Sequence, residues 1–206
     1  MGPLKPKTIA ILAAAALLIA GAVYLIGRGG GNPAPAGSPS GAAGALDAAA
    51  TGEVANFRVR PEPVPMAGVA FLDGEGRERS LADFRGKLVL LNLWATWCGP
   101  CREEMPALDR LQAELGSDRF EVVALSVERN GLDLARAFLK EVGAAHLALY
   151  NDTTGKANFT LKAFGLPTTL LLSPEGEEIG RMVGPAHWDS EDAKRLIEAA
   201  LTAYAP

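Results

Sequence analysis

Leu88-Val-Leu-Leu-Asn-Leu-Trp-Ala-Thr-Trp-Cys-Gly-Pro-Cys101 passes from a strand directly into the first turn of a helix, and this junction decides the fold. Leu88–Trp94 is an almost unbroken apolar run, as expected of a strand covered on both faces. From Gly99 the rhythm changes: Met105, Leu108, Leu111 and Leu115 fall on one helical stripe. Pro100 is harmless in a first turn, where its missing N–H had no partner to lose.

Working outward, Val69–Leu72 and Glu78–Leu81 read as a hairpin across Asp73-Gly-Glu-Gly76, with the Asp-Gly step supplying positive φ. Downstream, Phe120–Val127 is a strand, 132–142 a helix, 147–150 a short strand and 154–164 a helix stopped by Gly165. Thr168–Leu172 and Glu178–Val183 flank Ser173-Pro-Glu-Gly176, which suits a type I turn. A last helix starts near Ser190 and buries Leu196, Ile197, Ala200, Leu201 and Tyr204. Strand–helix–strand units followed by an antiparallel hairpin and a helix imply an α/β fold, a mixed sheet flanked by helices.

The 206 residues hold two cysteines, two histidines, 20 basic and 24 acidic side chains. Two cysteines exclude a disulfide-stapled miniprotein and a four-cysteine zinc site. The acidic balance argues against nucleic acid as a partner. Cys98 and Cys101, three apart on a first helical turn, lie on one face within reach of a disulfide. Cys98 takes the exposed end, where unpaired N–H groups and the helix dipole favour its thiolate, while Cys101 lies deeper. The asymmetry makes Cys98 the attacking nucleophile and Cys101 the resolving thiol. A zinc site would need a second ligand pair, and His146 and His187 have no paired spacing. A purely structural bridge over two residues would restrain little chain.

From Thr8 to Gly27 no charge occurs, enough apolar chain for one bilayer-spanning helix. Lys5 and Lys7 precede it, so the N-terminus stays cytoplasmic and the remainder is exported. A cleaved signal peptide would show a shorter apolar region and a nearby small-residue site, so an uncleaved anchor is expected. The expected organisation is therefore a cytoplasmic 1–7, an anchor 8–27, a flexible Gly/Pro/Ala-rich linker 28–62 and a folded domain 63–206. Beyond residue 50 the chain carries 17 basic and 23 acidic groups. The linker shows no period, and about 25 flexible residues of it would span ~25–30 Å on average.

Leu81-Ala-Asp-Phe-Arg-Gly-Lys87, Asn92–Pro106 and Gly165-Leu-Pro-Thr-Thr169 resemble the TlpA group (TlpA/ResA-like) of the thioredoxin superfamily. That group comprises membrane-anchored, periplasmic thiol:disulfide interchange proteins. The resemblance implies a thioredoxin-like fold with an N-terminal β-hairpin and an extra βα insertion within 127–164. It further implies that Leu166–Pro167 is cis and faces the cysteines, where the Leu166 backbone pairs with a substrate chain. Thioredoxin's buried aspartate is matched here by Asn92, which cannot take a proton. Glu104, three residues beyond Cys101 and on its helical face, matches the acidic residue near the cysteines in this group, whereas Glu103 points elsewhere. Near apolar surface its pKa would rise, suiting it to shuttle protons for Cys101.

Trp97, Gly99 and Pro100 complete the motif; Trp94 and Trp97 are candidates for docking or for packing, Pro106 for a helix kink, and His187 is a loop histidine that could bind a metal, although a lone histidine usually does not. The expected activity is protein-disulfide reduction by the Cys98–Cys101 dithiol, with no cofactor and no metal. Electrons would come from a membrane thiol reductant and pass to oxidised client proteins, which the resemblance places in cytochrome or oxidase maturation at the bacterial inner membrane. The alternatives are a dithiol oxidase or isomerase, a peroxidase-like redoxin, for which no motif is evident, and a Cu(I) metallochaperone using the same thiols.

Overall fold

Leu88–Trp94, strand β4, is buried at all its positions and takes the centre of an eight-stranded sheet. The computed structural model describes residues 39–66, 68–129 and 131–204. Within them the elements are α1 (Pro39–Ala49), β1 (Arg58–Pro65), β2 (Ala70–Asp73), β3 (Glu78–Ser80), β4, α2 (Gly99–Leu115), β5 (Phe120–Ser126) and α3 (Leu132–Glu141). Then come β6 (Tyr150–Asn151), α4 (Ala157–Thr160), β7 (Thr168–Leu172), β8 (Glu177–Val183) and α5 (Glu191–Ala203). The strand order is β1-β8-β7-β4-β5-β6-β2-β3.

β4 pairs with β5 in parallel through α2, and with β7 antiparallel, so the sheet is mixed as expected. β5 and β6 are parallel through α3, the additional βα unit. The register sets Asn92 opposite Thr169, which places their side chains on one face of the sheet. The core runs along both faces of β4, β5 and β7 and includes Trp94, Met105, Leu108, Phe120, Leu170 and Trp188.

Both hairpin turns use the same device. Gly76 N donates to Asp73 O and Gly176 N to Ser173 O, each 2.8–2.9 Å, with Gly76 at φ +78° and Gly176 at φ +79°. Positive φ in the first hairpin therefore falls on the fourth turn residue, Gly76, and not on the Asp73–Gly74 step. The reason is a type I turn closed by a left-handed residue, in which the second and third positions stay right-handed.

Several boundaries differ from expectation. The anchor, 8–27, lies outside the described residues, and among those described no helix is long and apolar enough to cross a membrane. The expected linker, 28–62, is structured from Pro39 onward. Alanine is the strongest helix former, and Ala42 and Leu46, four apart, are buried on the face α1 turns toward α5 and β1. Val54 and Phe57 are also core residues. Pro61, Pro63 and Pro65 fit β1 because it is an edge strand with an irregular register between Val59 and Val64.

The strand expected over 147–150 shortens to Tyr150–Asn151, because His146 N and Leu147 N donate to Asp109 Oδ1 and not to a neighbouring strand. The helix expected over 154–164 shortens to α4. Buried Asp152 takes the N–H groups of Thr154 and Ala157, which delays its start, and Lys162 at φ 52° ends it. α2 continues through Pro106.

Candidate active site

Cys98 is the N-cap of α2, with Gly99 and Pro100 as the first helical residues. Its Sγ accepts from Cys101 N at 3.2 Å and is disulfide-bonded to Cys101. An N-cap position leaves the free N–H groups of the first turn around that sulfur. Cys98 is 5% exposed and Cys101 fully buried. The order of exposure is as the sequence suggests, but Cys98 shows only an edge of itself in this oxidised state.

The segment leading into the pair is fixed from β5. Thr96 N and Oγ1 both donate to the carboxylate of Glu128, at 3.1 and 2.7 Å. Sequence reasoning missed Glu128, because nothing local links a residue after β5 to a loop 32 positions earlier. The two tryptophans of the junction part company: Trp94 is buried against the Phe138 ring at 4.9 Å, whereas Trp97 is 71% exposed.

Leu166–Pro167 is a cis peptide. Pro167 O accepts from Gly184 N, and Thr168 Oγ1 donates to Gly165 O. Leu166 lines a groove of about 290 Å³ together with Trp97, Phe159, Phe164 and Gly165. Phe159 and Phe164 are 76% and 82% exposed, so the groove beside the cysteines is walled by solvent-facing aromatic surface.

Glu104 lies three residues along α2 from Cys101 and is buried, while Glu103 is exposed. Three donors converge on its carboxylate. Asn92 Nδ2 reaches Oε1 at 2.7 Å, and Ala186 N and Trp188 Nε1 reach Oε2 at 3.2 Å. Asn92 Nδ2 also donates to Thr169 Oγ1 at 2.9 Å, as the β4–β7 register requires. Burial pushes the Glu104 carboxyl up, and the three hydrogen bonds pull it partly back, leaving it at about 7. Desolvation therefore dominates, and the group is poised to gain or lose a proton near neutrality. Ala186 and Trp188 carry no local signal of this role, since they approach α2 from more than eighty residues away. His187 between them is exposed and contributes its carbonyl to Ser190 N.

Taken together, the elements present a dithiol/disulfide at a helix N-terminus, an adjacent groove and a near-neutral buried acid. Residues 57–177 match the AhpC/TSA family. Among curated proteins, the chain is 39% identical to the thioredoxin-like protein YneN of Bacillus subtilis over 49% of this chain and 59% of that one. It is 32% identical to the thiol-disulfide oxidoreductase ResA of Geobacillus thermodenitrificans over 70% of this chain and 83% of that one. Among solved structures, a DsbE-type thiol:disulfide interchange protein from Chlorobium tepidum aligns with TM-score 0.60 and 31% identity, covering 68% of this chain and 96% of that one. The motif, the fold around it and these likenesses agree: the chain belongs to the AhpC/TSA family, as a TlpA/ResA-like thiol-disulfide oxidoreductase of the thioredoxin superfamily.

Proposed function

We propose that the protein is a protein-disulfide reductase, held at the bacterial inner membrane by residues 8–27 with its catalytic domain in the periplasm. The observation that carries the reading is the placement of Glu104, near-neutral and buried, one helical turn from the resolving cysteine. Trp97, Phe159, Phe164 and Leu166 receive the client chain beside Cys98. In the reduced protein the Cys98 thiolate attacks a client disulfide, forming a mixed disulfide and releasing one client sulfur as a thiolate. Cys101 gives its proton to the Glu104 carboxylate and attacks Cys98 Sγ. The second client sulfur leaves as a thiolate, and both client thiolates take up protons. The client gains two electrons, and the protein is left with the Cys98–Cys101 disulfide.

A membrane thiol donor resets the pair. Clients are proteins of cytochrome or oxidase maturation, a reading supported by the TlpA-type resemblance and by the chemistry of haem and copper ligation, which needs reduced thiols. The test is to mix reduced full-length protein with oxidised insulin and with oxidised glutathione, and in parallel to express Cys101→Ser in cells. Reduction of the probes and capture of clients on Cys98 are expected. Faster oxidation of a dithiol by the disulfide form than reduction by the dithiol form would make the protein an oxidase instead. Recovery of a soluble form starting after residue 28 would remove the anchor.

A further inference from the structure

The wall of the groove is a short segment, tied at its start to Asp152 through Ala157 N and at its end to Thr168 through Gly165 O. α4 has four residues, and the chain after it turns through Lys162 at φ 52° before reaching Leu166. Ala157, Leu161 and Ala163 point inward and are buried, leaving Phe159 and Phe164 outward. A turn with a non-glycine residue in the left-handed region persists only where its surroundings fix it.

Arg181 on β8 supplies that fixation. Its guanidinium donates to the carbonyls of Leu161 and Lys162, both at 3.1 Å. The same guanidinium holds Glu178 bidentately, Nε to Oε1 and Nη2 to Oε2, both at 2.6 Å. Glu178 is 1% exposed and also accepts from Arg60 Nε on β1 at 2.8 Å. A buried carboxylate gripped by two arginines cannot turn away without leaving a charge uncompensated. Arg181 is thereby locked, and its planar fork has spare N–H groups that reach only the carbonyls ending α4.

We propose that Arg181, locked by Glu178 and Arg60, is a positioning residue for client recognition. It sets the Phe159–Leu166 wall against Trp97, and so governs affinity for protein disulfides without entering the exchange chemistry. This rests on the groove being where the client binds. No hydrogen bond or ion pair joins Arg181 to Cys98, Cys101 or Glu104 among the described residues, so a small disulfide that needs no wall is indifferent to it.

The test compares reduced full-length wild type with Arg181→Met and Arg181→Lys, each mixed with increasing oxidised insulin and with oxidised glutathione. For Arg181→Met the half-saturating insulin concentration should rise roughly tenfold with the saturating rate unchanged, because the loss lies in binding. Arg181→Lys keeps a charge against Glu178 but cannot bridge both carbonyls, so about a threefold rise is expected, and it carries the test where the methionine variant does not fold. The glutathione rate should stay at the wild-type value in both. An unchanged half-saturation for insulin, or equal losses on insulin and glutathione, would overturn the role of Arg181. Wild type inert toward both probes would instead overturn the reductase reading on which it rests.

Discussion

Glu104→Gln isolates the conflict inside the site, because it removes a charge and keeps the shape. The carboxyl moves from 4.5 to about 7 on folding, driven by burial against the pull of Asn92, Ala186 and Trp188. A raised folded-state pKa means the native protein holds this proton where the unfolded chain has lost it. The contribution to stability is fully present below about pH 4.5 and is lost as pH rises through about 7. Integrated over the shift, wild type should lose about 2–3 kcal/mol from this one group between about pH 5 and pH 8.

The glutamine variant has no such slope. Its amide faces three N–H donors with one carbonyl, so one donor is left poorly matched, at a cost of about 1–3 kcal/mol that does not vary with pH. The difference at any single pH combines this fixed cost with the titration, whereas its drift with pH isolates the titration. The variant should gain about 2–3 kcal/mol on wild type between about pH 5 and pH 8. Urea denaturation of the oxidised protein at several pH values reads this directly, with the disulfide constant in both forms. Stability curves that stay parallel across that window would refute the claim that desolvation outweighs the three hydrogen bonds.

Asn92→Leu should move the same titration upward by about one unit, since it removes the shortest hydrogen bond to the ionised carboxylate; the pH profile of insulin reduction would show the displaced inflection, and an unmoved one would refute it. In the reduced protein, Cys98 should be alkylated before Cys101, because it caps the helix and retains some exposure; peptide mass spectrometry after brief iodoacetamide treatment checks the order. Gly180→Ala should destabilise the domain by about 1–3 kcal/mol, because a Cβ there would sit 2.3 Å from the buried Phe57 ring, and thermal unfolding would register the loss.

What was legible in the sequence is what short-range physics controls. The junction at Leu88–Cys101 announces itself because burial on both faces and a helix start occupy adjacent residues. Helix spacing alone separates Glu104 from Glu103. Over 39–62 the linker reading fails for a related reason. Composition reports what a segment can bury by itself, and 39–62 buries only Ala42, Leu46, Val54 and Phe57 among its described residues, against partners at the far end of the chain. The same holds for α4, whose helical pattern is overridden by Asp152 taking its first N–H groups.

The residues that tune the site belong to this second, long-range class. Glu104 owes its position in the sequence to α2, but its environment is assembled from β4, the chain before α5 and the indole of Trp188. Burial raises its proton affinity, while the N–H groups of Asn92, Ala186 and Trp188 limit that rise. The groove repeats the arrangement, with Trp97 placed by the motif and Phe159 and Phe164 held through Arg181 from β8. The cysteine pair therefore determines that thiol exchange takes place. The β7–β8 hairpin and the C-terminal segment that follows it set the proton affinity beside the pair and the surface offered to a client, so variation there should retune partner choice and pH response while the reaction persists.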